Sequence, residues 1–202
     1  MKHARKNAQL KAARTGAARD RVISAVWGAA EATCFFIVPD VWITRTALKS
    51  PRAGVAAAFS ALAGALAGGI ATYVWGRKTG RADSKRLLRK LPAISGQMIE
   101  NAEAELSRVG NRGMLWGPLR GVPYKIYARA SGLQKRSFMG FLAWSVPARI
   151  PRFLLVVLGT RGLLAGARKL LPKGKTEQLA PIIHPGFWIL FYSWYLRVVG
   201  RE

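Results

Sequence analysis

The sequence predicts an all-α, polytopic membrane protein: two re-entrant helical hairpins in an inverted-repeat layout, plus about three transmembrane helices. Three observations predict it. Residues 53–76 carry no charge, and a crossing helix needs roughly 20 apolar residues. Half of the 202 residues are hydrophobic, yet the net charge is +24, from 33 Lys and Arg against 9 Asp and Glu. The cations stand in blocks between apolar runs rather than scattered over amphipathic elements, unlike a soluble nucleic-acid binder. Finally, two stretches broken by proline and charge each precede a long apolar run, the layout of a site built between discontinuous helices.

Taken in order, residues 1–21 form a basic surface segment, read as a helix lying on anionic lipid or as a solvated tail. A signal peptide is not expected: the basic lead is long, and Glu31 interrupts the apolar stretch that follows. Residues 22–48 are apolar but hold Glu31, Pro39 and Asp40. A hairpin that dips in and returns, turning near Pro39 and Asp40, accommodates both acids, because irregular backbone at membrane depth must be shielded by protein or line a wet cavity. Residues 53–76 are the clear crossing helix. Arg45, Lys49 and Arg52 stand before them, Arg77, Lys78 and Arg81 after, and Tyr73 and Trp75 take an interfacial place. The competing reading is a buried helix in a soluble core.

Residues 77–91 are strongly basic. In residues 92–110, Ile99, Ala102, Leu106 and Val109 recur at helical spacing, giving an amphipathic surface helix whose Glu100, Glu103 and Glu105 face solvent or nearby cations. Residues 113–133 form the second broken segment. Residues 137–160 are the second long apolar run, interrupted by Pro147, Arg149, Pro151 and Arg152, and residues 179–196 are an aromatic-rich final helix with His184 near its start. The expected organisation is therefore a basic segment at 1–21, a membrane unit at 22–160 with repeats at 22–80 and 92–160, and a basic loop with a final helix at 161–202. Cations flank the apolar runs on both sides, so the positive-inside rule assigns no orientation.

Cys34 stands alone, His3 and His184 lie far apart, and no GxSxG, Walker A or GxGxxG motif occurs. No metal, cofactor, nucleic-acid partner or enzymatic activity is expected.

The two broken stretches with their following helices resemble the DedA family and the wider VTT superfamily of SNARE-associated Golgi-type proteins. In the first, EATCFFIVPD leads to the Ala/Gly helix and YVWGRKTG, where Tyr73, Gly76, Arg77 and Gly80 match the family's ending, and Pro39 precedes an acid. In the second, Arg120, Pro123, Gly132, Ser137 and Phe138 match. The resemblance covers about two-thirds of the chain, residues 25–160. Departures are Pro39–Asp40 without an intervening Gly, and Lys125 two residues after Pro123 where many members have Arg three after. The resemblance implies facing re-entrant hairpins in a multi-pass plasma-membrane protein. It also implies movement of phospholipid or polyprenyl-phosphate lipid between leaflets, with dependence on a proton gradient in some members.

The residues themselves point to phosphate. An Arg or Lys at a helix centre costs about 2.5–3.5 kcal/mol on insertion scales, and Arg120, Lys125 and Arg129 fall within a short window containing Pro118 and Pro123. A loop lining a wet cavity relieves that cost. We expect these three to form one cationic pocket for a lipid phosphate, extended by Arg149 and Arg152, because guanidinium forks grip phosphate oxygens in pairs. Glu31 and Asp40 are expected to carry a proton or to balance the cations. A non-transporting membrane scaffold or assembly factor, whose cations need only face lipid, is the alternative.

Overall fold

The computed structural model describes residues 2–172 and 174–199. Among the described residues eight α-helices and two 3-10 segments follow one another, with no strand. They are α1 (Lys2–Glu31), α2 (Asp40–Lys49), α3 (Pro51–Lys78), α4 (Arg81–Leu88), α5 (Gly96–Val109), the 3-10 segments Gly110–Trp116 and Pro118–Arg120, α6 (Tyr124–Leu133), α7 (Phe138–Leu170) and α8 (Lys175–Val199).

Local chemistry sets the boundaries. Proline disfavours helix in the residue before it and has no N–H to give. Pro39 accordingly stands at the N-cap of α2 and Pro123 at that of α6. Ser50, Ser95 and Ser137 cap α3, α5 and α7, each side chain accepting from a backbone N–H of the first turn. Gly121, at φ +68°, supplies the left-handed residue that reverses the chain before α6.

α3 is the axis, with α1, α2, α6 and α7 all packed on it. Its glycines and alanines let backbones approach closely. A Cβ at Gly64 would collide with the Ala25 carbonyl of α1, and one at Gly132 of α6 with the Tyr73 carbonyl of α3. Two apolar clusters result. One joins Tyr73, Ile99, Leu106, Tyr127 and Phe141, and the other joins Ile43, Ala58, Ala61, Phe153 and Val157.

α3 and α7 are the two helices among the described residues that are long and apolar enough to cross a membrane. Only a third of the most apolar stretch of α7 is buried, and Leu155, Leu158 and Leu163 are exposed. α8, the expected third, is long, but Trp, Tyr, His and Pro dilute its apolar run, and it does not meet that measure.

Four features add to expectation or differ from it. α1 runs without a break through the boundary drawn at residue 22, because alanines and long side chains carry good helix propensity across it. α7 continues through Pro147 and Pro151 to Leu170, so the boundary at 161 also falls inside a helix; long apolar helices tolerate proline where neighbours compensate. The basic stretch 77–91 contains α4. In α5, Ile99, Ala102 and Leu106 are buried as the spacing predicts, but so are Glu103 and Glu105. Each of these acids holds an arginine. Glu100 is exposed as expected and pairs with Lys85.

Candidate functional site

The turn after α1 and the turn before α6 meet around a cavity of about 260 Å³. α1 contributes Glu31 from its last position, α2 contributes Asp40 from its first, and α6 contributes Lys125 from its first turn. Arg149 and Arg152 enter from α7, placed by helical spacing on the face that also carries Ser145 and Ala148. The second turn supplies a wall from Gly117 to Pro123, and α8 closes the remaining side with Trp188, Phe191, Tyr192 and Tyr195.

The charges pair across the two halves. Arg149 Nη2 lies 2.5 Å from Glu31 Oε2, both side chains 6% exposed. Arg152 pairs with Asp40. Lys125 is buried, and its Nζ donates to the Phe35 carbonyl at 2.7 Å. The Arg149 guanidinium stacks 4.5 Å from the Tyr124 ring centre and 5.2 Å from that of Phe153, favourable cation–π positions. Tyr124 is itself held by donating to Ser145 Oγ at 2.8 Å. Two buried polar atoms have no hydrogen-bond partner among the described residues here, Arg149 Nε and Asp40 Oδ1. Three basic and two acidic side chains share the lining. The Arg149 Nε is enclosed as well as unpaired, so an anion's oxygen can accept from it only after the covering atoms move.

The five cations expected to bind phosphate do not converge. Lys125, Arg149 and Arg152 line the cavity, while Arg120 and Arg129 do not. The left-handed Gly121 turns Arg120 away toward α5, where its Nη1 donates to Glu105 Oε1 at 2.9 Å and its side chain stays 57% exposed. Tyr127 donates to the other oxygen of Glu105 at 2.8 Å. Arg129, one turn beyond Lys125, is fully buried against α4 and α5. It pairs with Glu103, donates from Nε and Nη2 to Ser84 Oγ at 2.9 and 2.7 Å, and donates from Nη2 to the Arg81 carbonyl at 2.9 Å. The expected single pocket of Arg120, Lys125 and Arg129 is thus corrected: the buried acids of α5 draw two of the three away.

Of the motif residues only Pro123 lines the cavity, and most of the others lie on the seam between α3 and α6. Pro39 and Pro123 start the two short helices. Tyr73 donates to the Arg136 carbonyl at 2.5 Å and accepts from Arg77 Nη1 at 3.2 Å. Gly76 faces the Arg129 carbonyl and Gly132 the Tyr73 carbonyl, so α3 and α6 touch backbone to backbone. Gly80 caps α4, its carbonyl accepting from Ser84 N at 3.0 Å. Sequence reasoning missed the α8 wall. Val38 N donates to Tyr192 Oη at 2.9 Å, Trp188 Nε1 donates to Thr44 Oγ1 at 3.2 Å, and His184 Nε2 lies 2.8 Å from Thr44 Oγ1. The aromatic run 187–195 was the available signal, since aromatic and hydroxyl groups on one helix face suit a half-polar wall as well as an interface.

No protein-family model, curated protein or solved structure matches the chain.

Proposed function

We propose that this chain is a multi-pass protein of the plasma membrane, of the DedA/VTT type, that moves phospholipid or polyprenyl-phosphate lipid between leaflets. α3 and α7 cross the bilayer in this reading, and the two turns entering α2 and α6 are the re-entrant elements. The exposed leucines of α7 and the exposed Ile182, Phe187, Ile189 and Leu190 of α8 then face acyl chains.

One observation carries the proposal: a cavity where both broken segments meet, lined by Lys125, Arg149 and Arg152. A lipid phosphate entering it competes with Glu31 and Asp40 for the two arginines. Charge-assisted, bidentate bonds make phosphate a strong competitor. A buried carboxylate that loses its arginine is relieved by taking up a proton, which links head-group binding to proton uptake. The head group then passes along the Lys125, Arg149 and Arg152 side of the lining while its tails remain in lipid, and departure restores the two ion pairs.

The test is a fluorescent-lipid flip assay in proteoliposomes. Wild type accelerates leaflet exchange, and Arg149→Gln abolishes the acceleration. Equal rates for wild type, Arg149→Gln and empty vesicles remove transport and leave the scaffold reading.

A further inference from the structure

A second pocket, of about 320 Å³, opens between α2, α7 and α8, away from the central cavity. Its lining holds Arg45 and Lys49 from α2, Arg168 from α7, and Glu177 and His184 from α8. We propose that this pocket is a binding site for a phosphate group.

The donors are present and largely unused. Arg45 is exposed, its guanidinium 5.2 Å from the centre of the Trp42 ring, and it makes no hydrogen bond or ion pair with any described residue. Arg168 uses Nε for Glu177 Oε1 at 2.8 Å, and its two terminal nitrogens make no hydrogen bond among the described residues. The Lys49 ammonium is drawn to Asp20 Oδ2 of α1 at 2.5 Å, so among the described residues Arg45 and Arg168 are the free donors of the pocket. The cation–π contact with Trp42 steadies the Arg45 guanidinium without using its N–H groups, which remain free to grip an oxyanion. Leu48 and Leu164 supply an apolar side to the same pocket, suited to the ester side of a lipid head group.

Position agrees with chemistry. α2 ends at Lys49, α3 begins at Pro51, α7 ends at Leu170 and α8 begins at Lys175. The pocket therefore lies where both apolar helices end on one side of the bundle, the level of phospholipid phosphates if those helices span. The site rests on these cations and not on passage through the central cavity.

Two binding arms on the full chain test it. In nanodiscs of phosphatidylcholine doped with phosphatidic acid, native mass spectrometry reads retained phosphatidic acid. In neutral detergent, calorimetry reads inorganic phosphate. Arg45→Gln lowers affinity about tenfold in at least one arm, the loss expected for a charge-assisted bond. Arg45→Gln with Arg168→Gln lowers it further. A loss confined to the nanodisc arm identifies the occupant as lipid, and a loss in detergent identifies free phosphate as sufficient. Arg45 is exposed, so an unchanged melting temperature is expected alongside. Affinities unchanged in both arms for both variants overturn the proposal. Binding abolished by Arg149→Gln but not by Arg45→Gln overturns it too, while leaving the reading of the central cavity in place.

Discussion

Arg129 and Arg149 are both buried inside helices and both paired with a glutamate, yet their surroundings differ in kind. Arg129 is sealed between α4, α5 and α6, with Glu103, Ser84 and the Arg81 carbonyl taking its N–H groups. Glu103 is occupied on both oxygens, since Arg81 Nη2 holds Oε2 at 2.5 Å. Arg149 has one carboxylate, two aromatic faces and a cavity, and its Nε is left over. A buried ion pair alone therefore does not mark a functional site. A saturated one is a structural rivet, and an unsaturated one on a cavity can exchange partners.

The largest effect should come from breaking the saturated side. Arg129→Leu takes the buried partner from Glu103 and leaves it only the exposed Arg81, and loss of one buried partner costs about 3–5 kcal/mol. Thermal melting in detergent should show a large drop, and a wild-type melting curve would mean that the cluster is not a rivet. Gly64→Leu comes next. It drives a side chain into the Ala25 carbonyl and forces α1 off α3, with an overpacking penalty of about 1–3 kcal/mol, read by the same melt.

The unsaturated side should separate stability from activity. Removing both charges with Glu31→Gln and Arg149→Gln leaves neither member of that pair facing an empty partner, so the double variant melts closer to wild type than either single variant, while the proposed lipid flipping stays abolished. A double variant that melts and flips like wild type would make this pair a rivet too. The smallest effect belongs to the exposed pair Lys85–Glu100. The Lys85 ammonium, donating to Glu100, holds its carboxyl below the ordinary value of 4.5. Its contribution is present above that value and is lost as pH falls through the depressed one. Glu100→Gln should melt indistinguishably from wild type in acid and only marginally lower near neutrality.

Much of this contrast is illegible in sequence, for a physical reason. The uncharged run of α3, the amphipathic spacing of Ile99, Ala102 and Leu106, and the breaks at Pro39 and Pro123 are local patterns and read directly. Glu31, Asp40, Lys125, Arg149 and Arg152 also stand out, as ionised groups in apolar runs. Which cation meets which acid is decided by packing between distant segments. Glu31 and Arg149 are separated by 118 positions, and nothing near either residue encodes the other. Arg129 resembles Lys125 on α6 until α4 and α5 fold over it. The prolines of α7 mislead in the opposite direction, because a rule about isolated helices is overridden once neighbours pack around the helix.

The glycine seam has a mechanical consequence. α1, α3 and α6 are interlocked at the level of main-chain atoms, so sliding any of them means lifting whole backbones over one another. α8 hangs on a few polar hooks to Val38 and Thr44, its outer flank bare. The chamber thus has a stiff back and a compliant front, and whatever swells it to admit a bulky guest must do so by swinging α8 aside.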